Sequence, residues 1–227
     1  ITGTNTYGQT LTANTSSVAP TGCTFTYQWW TATSASATTG TAISGATSST
    51  YKVGSGLAGK YIGVTVTASK SNYTSKSFAD ITDATNNGTA IVAKAAGSIS
   101  YATKTVSKTY GDAAFTNTLT KTGDGTVTYS SSNTSVATVN SSTGAVTIVG
   151  AGSATITATV ADGTNYTYAT KTATYSLTVG NATISGSVKI TGTNTYGQTL
   201  TANTSSVTPT GCTFTYQWWH STSSTAT

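Results

Sequence analysis

Apolar residues alternate with threonine in several short runs of this chain. GVTVTA at 63–68 and ATITATV at 154–160 place Val, Ile or Ala at every second position. A period of two is that of a half-buried β-strand, and Thr, Val, Ile and Tyr favour strands. Turn signals recur roughly every 8–12 residues, and no helical periodicity lasts beyond a turn or two. The pattern therefore predicts an all-β fold of sandwich domains.

The same alternation predicts which side chains form the cores. In TFTYQWW at 24–30, Tyr27 and Trp29 share one face of a strand, and Trp30 points to the other. We expect Tyr27 and Trp29 in the core. Trp30 is either an exposed contact residue or a residue covered by the loop 31–42. Further along the chain, the predicted core includes Tyr129 and Ile156.

A long repeat sets the organisation of the chain. Residues 1–30 return at 190–219 with one difference, Ala19 in the first copy and Thr208 in the second. The spacing is too long for a solenoid, whose repeats span ~20–50 residues, so whole domains are duplicated. The 227-residue sequence ends partway through the second copy, and we interpret it as a window of a longer tandem array.

These observations predict two kinds of domain in a linear array. Each boundary is placed where a strand pattern gives way to small or polar residues. ISGSVK at 184–189 precedes the second copy and is predicted to be its first strand, so the first copy is expected to start with an incomplete strand. The predicted divisions are domain A at 1–93, a linker at 94–97, domain B at 98–179 and a truncated second domain A at 180–227.

The repeat transfers the tryptophan predictions to the second copy. Trp218 is the predicted core residue there, and Trp219 is the predicted contact residue. Residues 182–227 supply only about half a sandwich, which cannot bury Trp218 by itself. Either further chain or strand addition by a neighbouring chain is expected to complete it.

Composition excludes several classes of function. Ten lysines give a net charge of +5, but they are scattered, and arginine is absent, so nucleic-acid binding is not expected. No apolar stretch reaches the ~20 residues that a transmembrane helix needs. Five dispersed aspartates, no glutamate and a single histidine suggest neither an acid–base pair nor a catalytic triad. We predict a protein that is not an enzyme and has no cofactor or metal.

Two features retain candidate chemistry. Cys23 and Cys212 occupy the same position in the two copies, and we expect free, half-buried thiols. The alternative is a cross-link between neighbouring chains, which an oxidising extracellular environment would permit. Asp124-Gly125 and Asp162-Gly163 are predicted to be turns, with calcium ligation as the alternative.

Two segments resemble bacterial immunoglobulin-like domains found in tandem on exported surface proteins. In domain A the matching residues are GQTLTA (8–13), TYQWW (26–30) and AGKYIGVTVTA (58–68). Domain B resembles the group 2 type across VTYSSSNTSVATVNSSTGAVTIVGAGSATITATVADGTNY (127–166). The resemblance implies tandem immunoglobulin-like β-sandwiches and assigns Trp29 to the buried tryptophan of the fold.

The resemblance implies a structural function at the bacterial cell surface. The leading prediction is a non-catalytic stalk or filament of an extracellular adhesin. Neighbouring copies of the chain are the expected partners, and any glycan or host ligand would bind through other regions. The alternatives are a glycan- or cell-wall-binding module that uses Trp30, and an ancillary domain of a phage or secreted enzyme.

Overall fold

The computed structural model describes residues 1–83 and 91–222. All of the regular secondary structure in these residues is β-strand, which confirms the predicted all-β class. The described part of the chain forms no helix long and apolar enough to cross a membrane.

Domain A consists of two facing sheets. The smaller sheet pairs two strands in antiparallel fashion, and the larger has the order β3-β2-β5-β6, also antiparallel throughout. The alternating run predicted at 63–68 lies within β5, and the strand predicted at 24–30 extends by two residues in β2. The strands are β1 (Thr10–Thr12), β2 (Thr24–Ala32), β3 (Thr41–Ala42), β4 (Thr50–Lys52), β5 (Tyr61–Ser69) and β6 (Lys76–Ile81).

The core of domain A lies between its two sheets. Trp29 is fully buried, stacks on Tyr51 at a centroid distance of 5.7 Å, and donates its indole N–H to the Ser48 carbonyl at 2.8 Å. Tyr27 packs at the edge of the same core and is half-buried. The apolar residues predicted to alternate along β5 face inward, and the buried set is Leu11, Ala13, Trp29, Val53, Ile62, Val64, Val66 and Val92.

Domain B is built from three sheets around a second core. Their strand orders are β10-β7-β15, β11-β14-β16-β8 and β12-β13-β9, and β7–β15 and β16–β8 are parallel pairs. The strands are β7 (Ala95–Tyr101), β8 (Thr105–Thr109), β9 (Phe115–Thr116), β10 (Leu119–Thr122), β11 (Val127–Ser131), β12 (Ala137–Val139), β13 (Ala145–Ile148), β14 (Gly152–Val160), β15 (Tyr166–Tyr168) and β16 (Thr172–Gly180).

The core of domain B follows the alternation of β14 and β16. Ile156 is fully buried, and Tyr129 is partly buried against the same cluster. Tyr101 and Tyr175 meet edge to face, with ring centroids 4.9 Å apart. Desolvation raises the pKa of Tyr175 to about 12 and raises that of Tyr101 above its usual value, so both phenols stay neutral.

The second copy of domain A retains only local structure. Its strands β17 (Lys189–Thr191) and β18 (Thr201–Asn203) pair in antiparallel fashion, and Ser185 forms an isolated bridge with Thr208. Trp218 is 49% exposed here, as expected for half a sandwich that cannot bury it by itself, and its assignment to a core stays a prediction.

The predicted linker at 94–97 is not a free connection. Its last three residues are the start of β7, which pairs in parallel with β15 from Tyr166 to Tyr168. Residues 95–97 read as a linker in the sequence because they are small. That small size also lets Gly97 pass under the ring of Tyr168, where an added Cβ would lie 2.5 Å from the ring.

Candidate functional site: the joint between domains A and B

A single asparagine side chain connects the two domains. Asn165 precedes β15 in domain B and is buried. Its side-chain oxygen accepts the Gly56 N–H at 3.0 Å, and its amide donates to the Ser55 hydroxyl at 2.9 Å. Both partners belong to a turn of domain A, so these two hydrogen bonds cross the joint.

Asp124 holds this asparagine in place from inside domain B. One carboxylate oxygen of Asp124 accepts both the backbone N–H and the side-chain amide of Asn165, each at 2.9 Å. Desolvation raises the pKa of Asp124, but hydrogen bonds from the backbone and side chain of Asn165 outweigh it, so the pKa lies below its ordinary value. The contribution of Asp124 is therefore present above the ordinary aspartate pKa and is lost as the pH falls through the lowered one.

An aromatic pair adds a second contact across the joint. Tyr7 of domain A meets Tyr166 of domain B edge to face, with ring centroids 5.5 Å apart. Such pairs contribute ~0.5–1.5 kcal/mol beyond the area that they bury. Tyr166 directly follows Asn165 in the sequence. The aromatic contact and the Asn165 hydrogen bonds therefore hold the same edge of domain B against domain A.

The connecting backbone is also hydrogen-bonded on both sides. Ala93 donates its N–H to Asn5 and accepts the N–H of Tyr7, at 2.9 and 3.0 Å. Ala95 donates to the Asn165 carbonyl at 2.8 Å, and the Lys94 ammonium donates to the Gly163 carbonyl at 2.7 Å. Each of the three consecutive residues 93–95 that connect the domains is therefore hydrogen-bonded to domain A or to domain B.

The joint between domain B and the second domain A is different. The last residue of β16, Gly180, accepts the Tyr110 N–H at 2.9 Å within domain B. For residues 181–220 the structure describes no hydrogen bond to residues 98–180. Tyr110 and Ile184, which line the same shallow pocket at this joint, are 53% and 63% exposed. Among the described residues, the two joints are thus unequal in their contacts.

Trp30 is not a surface contact. It is only 3% exposed, and its indole N–H donates to the Thr65 hydroxyl at 3.1 Å. The ring lies over Gly63, where an added Cβ would be 2.3 Å away, and beneath Gly40 of the loop 31–42. Of the two possibilities for Trp30, burial under that loop describes the structure, and the exposed contact residue does not. The glycine opposite Trp30 in β5 is the sequence signal for this packing.

The other predicted contact residues are Trp219 and the two cysteines. Trp219 is 66% exposed, and its role as a contact residue stays a prediction. Cys23 and Cys212 are both half-exposed free thiols. Each donates to the carbonyl of the proline three residues earlier, Pro20 at 3.0 Å and Pro209 at 3.1 Å.

Asp162 forms local contacts that stabilise a loop of domain B. Asp162 accepts the Tyr168 N–H at 2.9 Å and pairs with the Lys171 ammonium. The hydrogen bond from Lys171, followed by that from the backbone of Tyr168, holds the pKa of Asp162 below its ordinary value. Across residues 1–83 and 91–222, no three His, Cys, Asp or Glu side chains come together in a way that could hold a metal ion.

Sequence reasoning missed the joint. The sequence does not mark Asn165, Tyr7 or Ser55 as residues of a joint between domains. Asp124 and Asp162 both start Asp-Gly pairs, which predict turns, but both lie in the interior of the predicted domain B and away from its boundaries. Nothing in a single sequence shows that one of these turns faces the other domain.

Two facing sheets around a tryptophan core, joined in tandem to a second β-domain, are the architecture of immunoglobulin-like β-sandwich modules. Residues 111–162 match the family of the immunoglobulin-like domain of intimin. This stretch is therefore similar to a bacterial immunoglobulin-like domain of the adhesin type, which confirms the predicted resemblance for this part of domain B. The group 2 subtype stays a prediction. Domains of this type belong to bacterial surface adhesins and are in general not catalytic.

The remaining comparisons add little. A solved structure of a C-terminal 282-residue fragment of intimin, in complex with the intimin-binding domain of the translocated intimin receptor, matches at 15% identity with a TM-score of 0.26. The match covers 78% of this chain and 59% of that fragment. Comparison with curated protein sequences finds no match.

Proposed function

We propose that this chain is part of an extracellular stalk of a bacterial surface adhesin, in which each A–B pair acts as one stiff segment. The observation that carries the proposal is the Asn165 side chain, which is buried at the joint and hydrogen-bonded to Ser55 and Gly56 of the other domain. Buried polar groups with all partners in place fix a unique geometry, because any other orientation leaves them unsatisfied.

The near-identity of the two copies of domain A also agrees with a stalk built from repeated domains. The two copies of domain A keep the same residues at 29 positions of the first 30 and differ only at Ala19 and Thr208. Neighbouring copies of the chain are the proposed partners, and ligand binding belongs to other regions of the protein. The burial of Trp30 leaves the alternative of a glycan-binding module without the residue on which it depended.

The test compares the orientation of the two domains in solution. Residual dipolar couplings of domains A and B should fit a single alignment tensor in the native chain. Asn165→Ala removes both hydrogen bonds across the joint, and the two domains should then require separate tensors.

The matched control is Asn117→Ala, since Asn117 is partly exposed and, among the described residues, its amide donates to the Thr103 carbonyl within domain B. This variant should keep the single tensor. Separate tensors in the native chain, or an unchanged tensor in Asn165→Ala, would contradict the stiff segment.

A further inference from the structure

A cleft with a volume of about 520 Å³ lies at the joint between domains A and B. Domain A supplies most of its wall, through residues 7–9, directly before β1, and residues 52–55, at the end of β4. Domain B closes it with Ala95 and Tyr166. Ligand pockets commonly have volumes of ~300–1,000 Å³ and occur preferentially where two domains meet. The cleft therefore has the size and the position of a ligand site.

The wall of the cleft presents polar groups that the fold does not use. The side chains of Gln9 and Lys52 both line it, and both residues are exposed. Among the described residues, neither side chain makes a hydrogen bond, and Lys52 takes part in no ion pair. No carboxylate belongs to the described wall, so the Lys52 ammonium carries an uncompensated positive charge there. A ligand carboxylate would form a charge-assisted hydrogen bond with it.

The tyrosine pair of the joint provides the apolar surface of the cleft. Tyr7 and Tyr166 are both partly buried, meet edge to face and line the wall. The other apolar side chains of the wall offer little surface, since Val53 is 1% exposed and Ala95 is small. Flat rings next to hydrogen-bonding groups fit a sugar ring, which has apolar C–H faces surrounded by hydroxyls. A peptide would need pockets for its side chains, and the described wall has none.

Hydrogen bonds fix the residues that carry these groups. Val53 donates its N–H to the Gln9 carbonyl at 2.8 Å, and Lys52 precedes it as the last residue of β4. At the boundary with domain B, the Ser55 hydroxyl accepts the Asn165 amide at 2.9 Å. The backbone of the cleft is thus held in place before a ligand arrives, which lowers the entropy cost of binding.

We propose that this cleft binds an acidic glycan, a chain of sugar rings that carry carboxylates. The Lys52 ammonium donates to a glycan carboxylate, the Gln9 amide bonds to hydroxyls, and a sugar ring packs on Tyr7 and Tyr166. The site is additional to the ligand binding proposed for other regions of the protein. It rests on the stiff A–B segment, because both domains form the wall and a fixed joint keeps them together.

The first experiment titrates the 227-residue chain with trigalacturonate and follows the backbone amides by NMR. We expect saturable shifts at residues 7–9, 52–55 and 166. Methyl-esterified trigalacturonate should bind roughly tenfold more weakly, because the ester has lost the charge that Lys52 recognises. Triglutamate, an acidic peptide, should also bind more weakly. A native chain that does not bind trigalacturonate, or that binds the ester or the peptide equally well, would overturn the proposal.

A lysine variant tests the charge of the cleft. Lys52→Gln should weaken the binding of trigalacturonate roughly tenfold and leave the single alignment tensor of the two domains unchanged. The matched control is Lys104→Gln, since Lys104 is an exposed lysine of domain B whose ammonium has no partner among the described residues. This control should bind as the native chain does. Full affinity in Lys52→Gln, or an equal loss in Lys104→Gln, would contradict the site.

The joint variant separates this site from the stiff segment on which it rests. Asn165→Ala leaves the polar groups of the cleft in place but removes the hydrogen bonds that hold its two walls together. We expect weaker binding of trigalacturonate together with separate alignment tensors. A native chain with a single tensor and no binding would overturn the glycan site alone, whereas separate tensors in the native chain would contradict the stiff segment.

Discussion

The two copies of domain A have almost the same first 30 residues and very different surroundings. Local contacts are repeated: the Asn14 and Asn203 side chains each accept a backbone N–H two residues on, at 2.9 Å. Burial is not repeated, since Trp29 is fully buried and Trp218 is half exposed. The comparison separates what the sequence of a segment determines alone from what the rest of the domain adds.

The largest difference between the copies should appear at the core tryptophan. Trp29→Ala removes a fully buried ring, and we expect domain A to lose about 3–5 kcal/mol of stability. The matched variant Trp218→Ala should change the stability of domain A by less than about 0.5 kcal/mol. Hydrogen exchange of the β5 amides measures both. Equal effects of the two variants would break the comparison.

The joint gives a smaller difference between equivalent tyrosines. Tyr7 contacts Tyr166, whereas its counterpart Tyr196 is fully exposed. A double-mutant cycle of Tyr7→Ala and Tyr166→Ala, read from the denaturant unfolding of domain B, should give a coupling of about 0.5–1.5 kcal/mol. The cycle of Tyr196→Ala with Tyr166→Ala should give none. A coupling for Tyr196 as large as that for Tyr7 would contradict the assigned joint.

The smallest expected difference is at the asparagine turns, where the copies should behave alike. Asn14→Ala and Asn203→Ala each remove one local hydrogen bond, to the N–H of Ser16 or Ser205. Exchange of these two amides should speed up by a similar factor, roughly two- to tenfold. If only the amide of Ser16 responds, the turn depends on the complete domain and is not a property of the local sequence.

Much of the fold follows from alternation alone. The strand β5 and the inward faces of β2 and β14 were predictable because one face of each strand is apolar. Trp30 could not be placed in the same way, since its burial depends on Gly40 and Gly63, which are distant in sequence and leave space for the ring. Glycines occur at many turns, so a single sequence does not show which of them leaves space for a distant aromatic ring.

The joint was less predictable than the cores for a related reason. Asn165 acts through two residues that precede it by more than a hundred positions, Ser55 and Gly56. Polar residues in turns are common at any surface, and their sequence does not indicate which turn faces another domain. The candidate cysteines, in contrast, were easy to place, because Cys23 and Cys212 each bond only within their own turn.

The parallel pairing inside domain B has a mechanical consequence. Tension along the chain enters domain B at Ala95, the first residue of β7, and leaves at Gly180, the last residue of β16. β16 is held against β8 by parallel pairing from Ser176–Thr105 to Gly180–Thr109. A pull along these strands loads those hydrogen bonds in shear, so they must fail together rather than unzip one after another. A pull on the two ends of domain B would therefore have to break these hydrogen bonds together.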